Sequence, residues 1–263
     1  MREPVLKYEC VDVSYGGAAA LRQVTAEVHA GETLCIVGES GSGKSTLIKA
    51  AMGLLGSQGE VSNGRILFEG SDLMSLSNDD LRVHCGPDMA MVFQDSLASL
   101  TPIRTIGDQL FEAVRIHQDI PRKGVEEKAC DLLARMNIDD PRRVLKSYPF
   151  ELSGGMGQRV GIMMALIMEP KVLFADEPTS ALDALSQKLV VQELMRLQKD
   201  IHNAIVLVTH NIGVARYMAD EVLVLKDGSV VEQGHASEVL AHPQRSYTKE
   251  LLDAVPALSK EVG

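Results

Sequence analysis

The hydrophobic and polar positions of this chain alternate between short β-rich runs and longer stretches with helical spacing. Leu6–Val13 and Val24–Val28 read as strands near the start. Thr33–Val37 is a continuous apolar run, hence a buried strand, and it leads through a glycine-rich loop into the helical Thr46–Met52. Ile66–Phe68 and Met89–Phe93 predict further strands. The middle changes character. Ile106–His117, Val125–Met136 and Gly155–Met168 carry helical spacing with few strand signals, so residues 95–160 form the candidate helical subdomain. Val172–Ala175 and Ile205–Thr209 return to buried strands, joined by the helix Ser186–Ile201 in an expected right-handed crossover. Val222–Leu225 and Ser229–Val231 flank Lys226-Asp227-Gly228, a hairpin signal, and the short helices Ala236–Ala241 and Ser246–Ala254 follow. The alternation predicts an α/β sheet protein.

Composition narrows the function. With 26 Lys+Arg against 36 Asp+Glu in 263 residues, the net charge of −10 argues against a protein that tracks nucleic-acid backbone. The absence of Trp and 4% aromatic content leave few platforms for stacking bases or sugars. The longest nearly unbroken apolar run, Val160–Met168, is about half of what a membrane span requires. Met1-Arg2-Glu3-Pro4 opens without the apolar core of a secretory signal, so any membrane role is expected to be peripheral. Cys10, Cys35, Cys85 and Cys130 are too scattered for a zinc site or a disulfide framework, and they predict buried, reduced thiols.

Two motifs carry chemistry. Gly38-Glu39-Ser40-Gly41-Ser42-Gly43-Lys44-Ser45, followed by Thr46, fits the phosphate-binding loop, with an apolar strand before it and a helix after. Its glycines let backbone N–H groups turn inward around a phosphate, and the helix adds its positive end. Lys44 is placed to bridge the β- and γ-phosphates and Ser45 to ligate Mg²⁺. In Val172-Leu173-Phe174-Ala175-Asp176-Glu177 a buried strand ends in two carboxylates. Asp176 suits Mg²⁺ held through water, and Glu177 suits orienting and deprotonating an attacking water.

Further along, Leu152-Ser153-Gly154-Gly155-Met156-Gly157-Gln158-Arg159 resembles the signature motif of ABC-type ATPases, and it stands before the Asp-Glu strand as it does in that family. Gln94 resembles the Q-loop glutamine, Ser180-Ala181-Leu182-Asp183 the D-loop, His210 the switch histidine, and Tyr15 the aromatic that stacks on adenine. The resemblance covers essentially all of residues 1–263 as one ATPase domain. It implies an α/β P-loop NTPase (RecA-like) core with an N-terminal antiparallel β-subdomain and an inserted α-helical subdomain. It also implies ATP and Mg²⁺ as ligands, with Ser45, Gln94 and Asp176 on the metal and Glu177, His210 and Gln94 in catalysis. In that family two ATPase domains meet head to tail, so Leu152, Ser153, Gly154, Gly155, Met156 and Gln158 would act on the ATP of a partner subunit. Ser153 is equally a good helix N-cap.

The tail His242-Pro243-Gln244-Arg245-Ser246-Tyr247-Thr248-Lys249-Glu250-Leu251-Leu252 resembles the ending of peptide/nickel importer ATPases, which implies a short extension over about 234–263. Gly59–Leu73 and Ser99–Gln109 are similar to the D-type member of their paired ATPases. The implied partners are a second, paralogous ATPase subunit, two transmembrane permease subunits and, indirectly, an extracytoplasmic solute-binding protein. The implied place is the cytoplasmic face of the bacterial inner membrane. A soluble ABC ATPase serving a cytosolic enzyme assembly, of the carbon–phosphorus lyase or iron–sulfur-assembly kind, is the alternative, since the first shares a similar tail. DNA-repair relatives insert long coiled coils, and Thr46–Leu152 has no sustained heptads. Ser96 and Gly157 depart from the common pattern, Gly157 at a helix-propensity cost of about 1 kcal/mol relative to Ala.

Overall fold

The computed structural model describes residues 3–180 and 182–254. Ala181 of the predicted D-loop and residues 255–263 of the predicted extension lie outside the described residues, as do Met1 and Arg2. The strands are β1 (Leu6–Tyr15), β2 (Ala18–Val28), β3 (Thr33–Val37), β4 (Gly59–Phe68), β5 (Ser71–Asp72), β6 (Met89–Val92), β7 (Val172–Asp176), β8 (Ala204–Val208), β9 (Glu221–Lys226) and β10 (Ser229–His235). The helices are α1 (Lys44–Ala51), α2 (Asn78–His84), α3 (Ile106–Arg115), α4 (Arg122–Arg135), α5 (Pro141–Lys146), α6 (Gly154–Leu166), α7 (Ala184–Ile201), α8 (Ile212–Met218), α9 (Ala236–Val239) and α10 (Ser246–Asp253).

The strands join in the order β5-β4-β1-β2-β10-β9-β3-β8-β7-β6. From β9 to β6 the neighbours run parallel, and β3 and β8 are buried at every position, as strands covered on both faces must be. β4, β1 and β2 are antiparallel, and β1 and β2 alternate buried with more exposed positions over much of their length. The antiparallel layer meets the parallel one at a single ladder pair, Ser229 with Arg22. Between β6 and β7 the described chain is helical, and α3, α4 and α6 pack a common core around Ile106, Leu110, Ala129, Leu133 and Val160. A second core, with Leu6, Tyr8, Leu21, Ile36, Leu47 and Phe174, lies between the antiparallel layer, α1 and the other face of the sheet. The expected α/β core with an antiparallel β-layer and a helical insertion is the fold observed.

The differences lie at the ends of elements. β2 begins at Ala18 rather than Val24, because Ala18-Ala19-Ala20 has little strand propensity and is recruited by pairing with β1. β4 likewise extends back to Gly59 through the polar Ser62-Asn63-Gly64. The short helices α2, α5 and α8 escape a periodicity search and are defined by their caps, Ser77, Asp140 and Asn211.

Candidate active site

The phosphate loop spans the end of β3 and the start of α1. Gly38 has φ 154°, and a β-carbon there would stand 2.2 Å from the Leu225 carbonyl oxygen, so only glycine lets the loop close onto β9. Gly43 is the N-cap of α1 and offers no side chain, which leaves the first-turn N–H groups available to an anion. Lys44 is 5% exposed, and its Nζ donates to the carbonyls of Gly38 at 2.9 Å and Glu39 at 2.7 Å. Burial holds its pKa below the ordinary lysine value, against the opposing pull of Glu177, Asp176 and Glu39. The hairpin turn after β9 braces the loop, with Gly228 N–H donating to Ser42 O at 3.1 Å.

In front of the loop opens a cleft of about 530 Å³. Ser40, Gly41, Gly43, Lys44, Ser45 and Thr46 line it, together with Gln94 and Glu177. Ser45 Oγ donates to Asp176 Oδ1 at 2.8 Å, which ties the start of α1 to the end of β7. Burial pushes the Asp176 carboxyl above the usual range, partly offset by the Ser45 hydrogen bond. The hydroxyl of Ser45, the carboxylate of Asp176 and the amide oxygen of Gln94 are hard donors of the kind Mg²⁺ takes alongside substrate phosphates. No cluster of three His, Cys, Asp or Glu among the described residues could hold a metal by itself. That donor set fits an ion that arrives with its nucleotide.

Glu177 follows Asp176 with φ 46°, a left-handed conformation that a non-glycine residue keeps only when its surroundings enforce it. They do so here: its N–H donates to Val208 O at 2.9 Å, and its carbonyl accepts from the N–H and Oγ of Ser180, both at 3.2 Å. His210 Nδ1 stands 3.1 Å from Glu177 Oε2, so the histidine after β8 meets the carboxylate after β7. A carboxylate within reach of an imidazole, beside a phosphate loop, is a set of groups with the chemistry to position and deprotonate a water.

The signature residues lie elsewhere. None of Leu152–Gln158 lines the phosphate cleft. Ser153 caps α6, accepting from Met156 N–H at 3.3 Å, and a β-carbon at Gly154 or Gly155 would meet no atom within 4 Å. Leu152, Gly154 and Gln158 face instead a groove of about 720 Å³ that they share with Gln94 and Leu182. Asp183 caps α7 through its Oδ1, which accepts from Leu185 and Ser186 N–H at 3.0 and 3.1 Å. The Ser186 hydroxyl and these N–H groups hold its carboxyl below the usual range. Tyr15 is half-buried against Gly59 and does not line the cleft.

Sequence reasoning missed several residues. Ala19, Ala20 and Arg22 of β2 and Asp227-Gly228 of the hairpin line the cleft, brought there by a strand pairing that no local motif announces. Gln187, on α7, donates to the carbonyls of Thr179 and Leu182 and accepts from Asn211 Nδ2, linking the D-loop to the residue after His210. Gly157 is not merely a weak helix former: a β-carbon there would stand 2.3 Å from Leu97 Cγ, so the glycine seats the segment after Gln94 on the signature helix. The unusual Ser96 is buried beside it, its Oγ donating to Phe93 O at 3.2 Å and 3.3 Å from Gln158 Oε1.

Comparison with known proteins agrees with this geometry. Residues 21–180 match the family model described as ABC transporter. The chain is 42% identical to the dipeptide transport ATP-binding protein DppD of Bacillus subtilis (strain 168), over 97% of this chain and 78% of that one. It is 40% identical to the metal-staphylopine import system ATP-binding protein CntD of Staphylococcus aureus, over 84% of this chain and 82% of the relative. The dimeric post-hydrolysis structure of the ATP-binding cassette MJ0796, bound to ADP and Pi, superposes with a TM-score of 0.76 at 28% identity, covering 88% of this chain and 98% of that one. A phosphate loop, a carboxylate–histidine pair and a match over most of the chain converge: this protein belongs to the ABC transporter family and is an ATP-hydrolysing member of it.

Proposed function

We propose that the chain is the ATPase subunit of an importer for peptides, nickel or a related small solute, working as a head-to-tail dimer on the cytoplasmic side of permease subunits. One observation carries the reading: the signature helix presents a capped, glycine-opened N-terminus outside the chain's own cleft, so the site is complete only when a second ATPase domain supplies its signature. The transport and import systems named for its relatives supply the direction and the solute class, which favours peptides. No helix among the described residues is long and apolar enough to cross a membrane. We assign the crossing to separate permease subunits and the second ATPase position to a paralogue.

In this reading the cleft holds ATP with its phosphates on the loop N–H groups and Lys44. Ser45, Asp176 and Gln94 hold Mg²⁺, which when bound supplies positive charge to the phosphate oxygens. Glu177 accepts the proton of the attacking water on its carboxylate, and His210, whose Nδ1 stands 3.1 Å from Oε2, holds that carboxylate in place. Ser153 and the N–H groups of Gly154 and Gly155 close over the γ-phosphate of the partner's ATP. An apolar groove of about 360 Å³, with Phe93, Leu100, Ile116, Met164 and Met168 in its walls, opens beside the segment after Gln94. It is the seat we assign to a short amphipathic cytoplasmic segment of a permease, because any movement there reaches Gln94 within one or two residues.

The test is to tag the chain, solubilise its native membranes in mild detergent and identify what co-purifies. Two polytopic permeases and a second ATPase are expected. Soluble enzymes alone would overturn the importer in favour of a cytosolic assembly.

A further inference from the structure

The end of the described chain reaches back to its beginning. The N–H of Glu39, in the phosphate loop, donates to the hydroxyl of Tyr247 on α10 at 3.1 Å. The carbonyl of the same residue accepts from Lys44 Nζ at 2.7 Å and from Ser42 N–H at 3.2 Å. Glu39 is therefore gripped on one side by the tail and on the other by the lysine that faces the phosphates. Tyr247 is itself fixed. It is 6% exposed, and the Lys226 ammonium lies 4.4 Å from its ring centroid. Lys226 continues from Leu225, whose carbonyl packs against Gly38. The turn before α10 is anchored to β10, where Glu232 accepts from Gln244 N–H at 2.7 Å and Arg245 N–H at 3.2 Å. Leu251 and Leu252 pack on the core beyond.

We propose that Tyr247 is a positioning residue for nucleotide binding: its hydroxyl holds the Glu39 backbone so that the loop keeps its phosphate-ready shape and Lys44 its place. Tyr247 is absent from the walls of the cleft and acts only through Glu39. Without the hydroxyl the Glu39 N–H loses its partner, and the loop gains conformers in which the Lys44 anchor at the Glu39 carbonyl shifts. Nucleotide must then select the competent conformer from a larger set, which weakens affinity and leaves the bound state unchanged.

This inference rests on the reading of the cleft as the ATP site, and the experiment separates the two. Calorimetric titration of the full chain with ATP is run for wild type, Tyr247→Phe and Leu251→Ala, alongside thermal unfolding without nucleotide and steady-state ATPase assays. Tyr247→Phe keeps the ring and its packing, so it is expected to weaken ATP binding by about 3- to 10-fold, the scale of one lost hydrogen bond. Its kcat at saturating ATP should stay at the wild-type value, so that KM moves alone, and its thermal midpoint should fall by less than that of Leu251→Ala. Leu251→Ala trims the tail's packing without touching the hydroxyl, and is expected to lower the thermal midpoint while ATP affinity holds. Wild-type affinity in Tyr247→Phe would overturn the proposal and leave the ATP site intact. Equal weakening in Leu251→Ala would overturn it too, by tracing the effect to tail stability. A wild-type chain that binds no ATP would sink the site itself.

Discussion

Two helix N-termini in this molecule carry glycines, α1 in the loop that precedes it and α6 in its own first turn, and they are finished differently. At α1 the loop is braced from behind and opens only onto the cleft: Gly38 sits against β9, Lys44 is buried on two carbonyls, Ser45 is bonded to Asp176, and the β9–β10 turn backs the loop. At α6 the cap Ser153 is exposed and Gly154 and Gly155 face open space. Only the internal side of α6 is finished, through Gly157 on Leu97 and the pairing of Arg159 with the buried Glu193 at 3.4 Å. The contrast teaches how one chain carries two halves of one chemistry. The half that must hold a charged ligand unaided is built into the sheet. The signature end of α6 is rigid behind and bare in front, which is what the shared-site reading proposed above requires.

Substitutions probe each half in turn. Lys44→Ala removes the cation of the finished site, and ATP affinity is expected to fall on the order of 10²-fold or more by calorimetry. Retained micromolar binding would remove Lys44 from its role. Glu177→Gln should leave ATP binding in place and cut turnover by about 10²–10⁴-fold. Near-normal turnover there would show that Glu177 is not the base. Ser153→Arg, in the unfinished half, should spare ATP binding by the isolated chain and block ATP-driven dimer closure, slowing turnover by roughly 10²-fold. Dimerisation that survives the arginine, measured by light scattering, would contradict the shared-site reading. Gly157→Ala must displace Leu97, and overpacking of about 1–3 kcal/mol outweighs the gain of about 1 kcal/mol in helix propensity. A net fall in thermal midpoint is expected.

The smallest effect belongs to Asp176→Asn. The folded pKa of Asp176 lies above its unfolded value, so its contribution to stability is most favourable below the unfolded pKa and is lost as pH rises through the folded one. At neutral pH the amide should therefore raise the thermal midpoint of the nucleotide-free protein slightly. The gain should shrink as the medium is acidified toward the carboxylate range. A difference that stays constant from neutral pH into that range would show that the charge is not the cause.

How much of this could be read before any coordinates depends on sequence distance. The phosphate loop, the Asp176-Glu177 pair and the Ser153 cap are local: a few consecutive residues set both conformation and chemistry, so the string of letters suffices. The parallel core was readable for the same reason, since Thr33–Val37 and Ile205–Val208 are unbroken apolar runs. What escaped depends on meetings between distant segments. Arg22 reaches the cleft because β2 pairs with β10, and Tyr247 reaches Glu39 across 208 positions. Gly157 shows the same limit from the other direction. By propensity it is a flaw in a helix, and only Leu97 packed against it turns the flaw into a fit.

The single ladder pair between Ser229 and Arg22 has a mechanical meaning. Strand pairing between the two layers is confined to this one joint, while the buried core that includes Leu21, Ile36 and Phe174 holds them together over the rest of their contact. Here the joint runs beneath the cleft, with Ala19, Ala20 and Arg22 on one bank and the phosphate loop and Asp227-Gly228 on the other. A molecule lodged in that cleft spans the joint and acts as its splint.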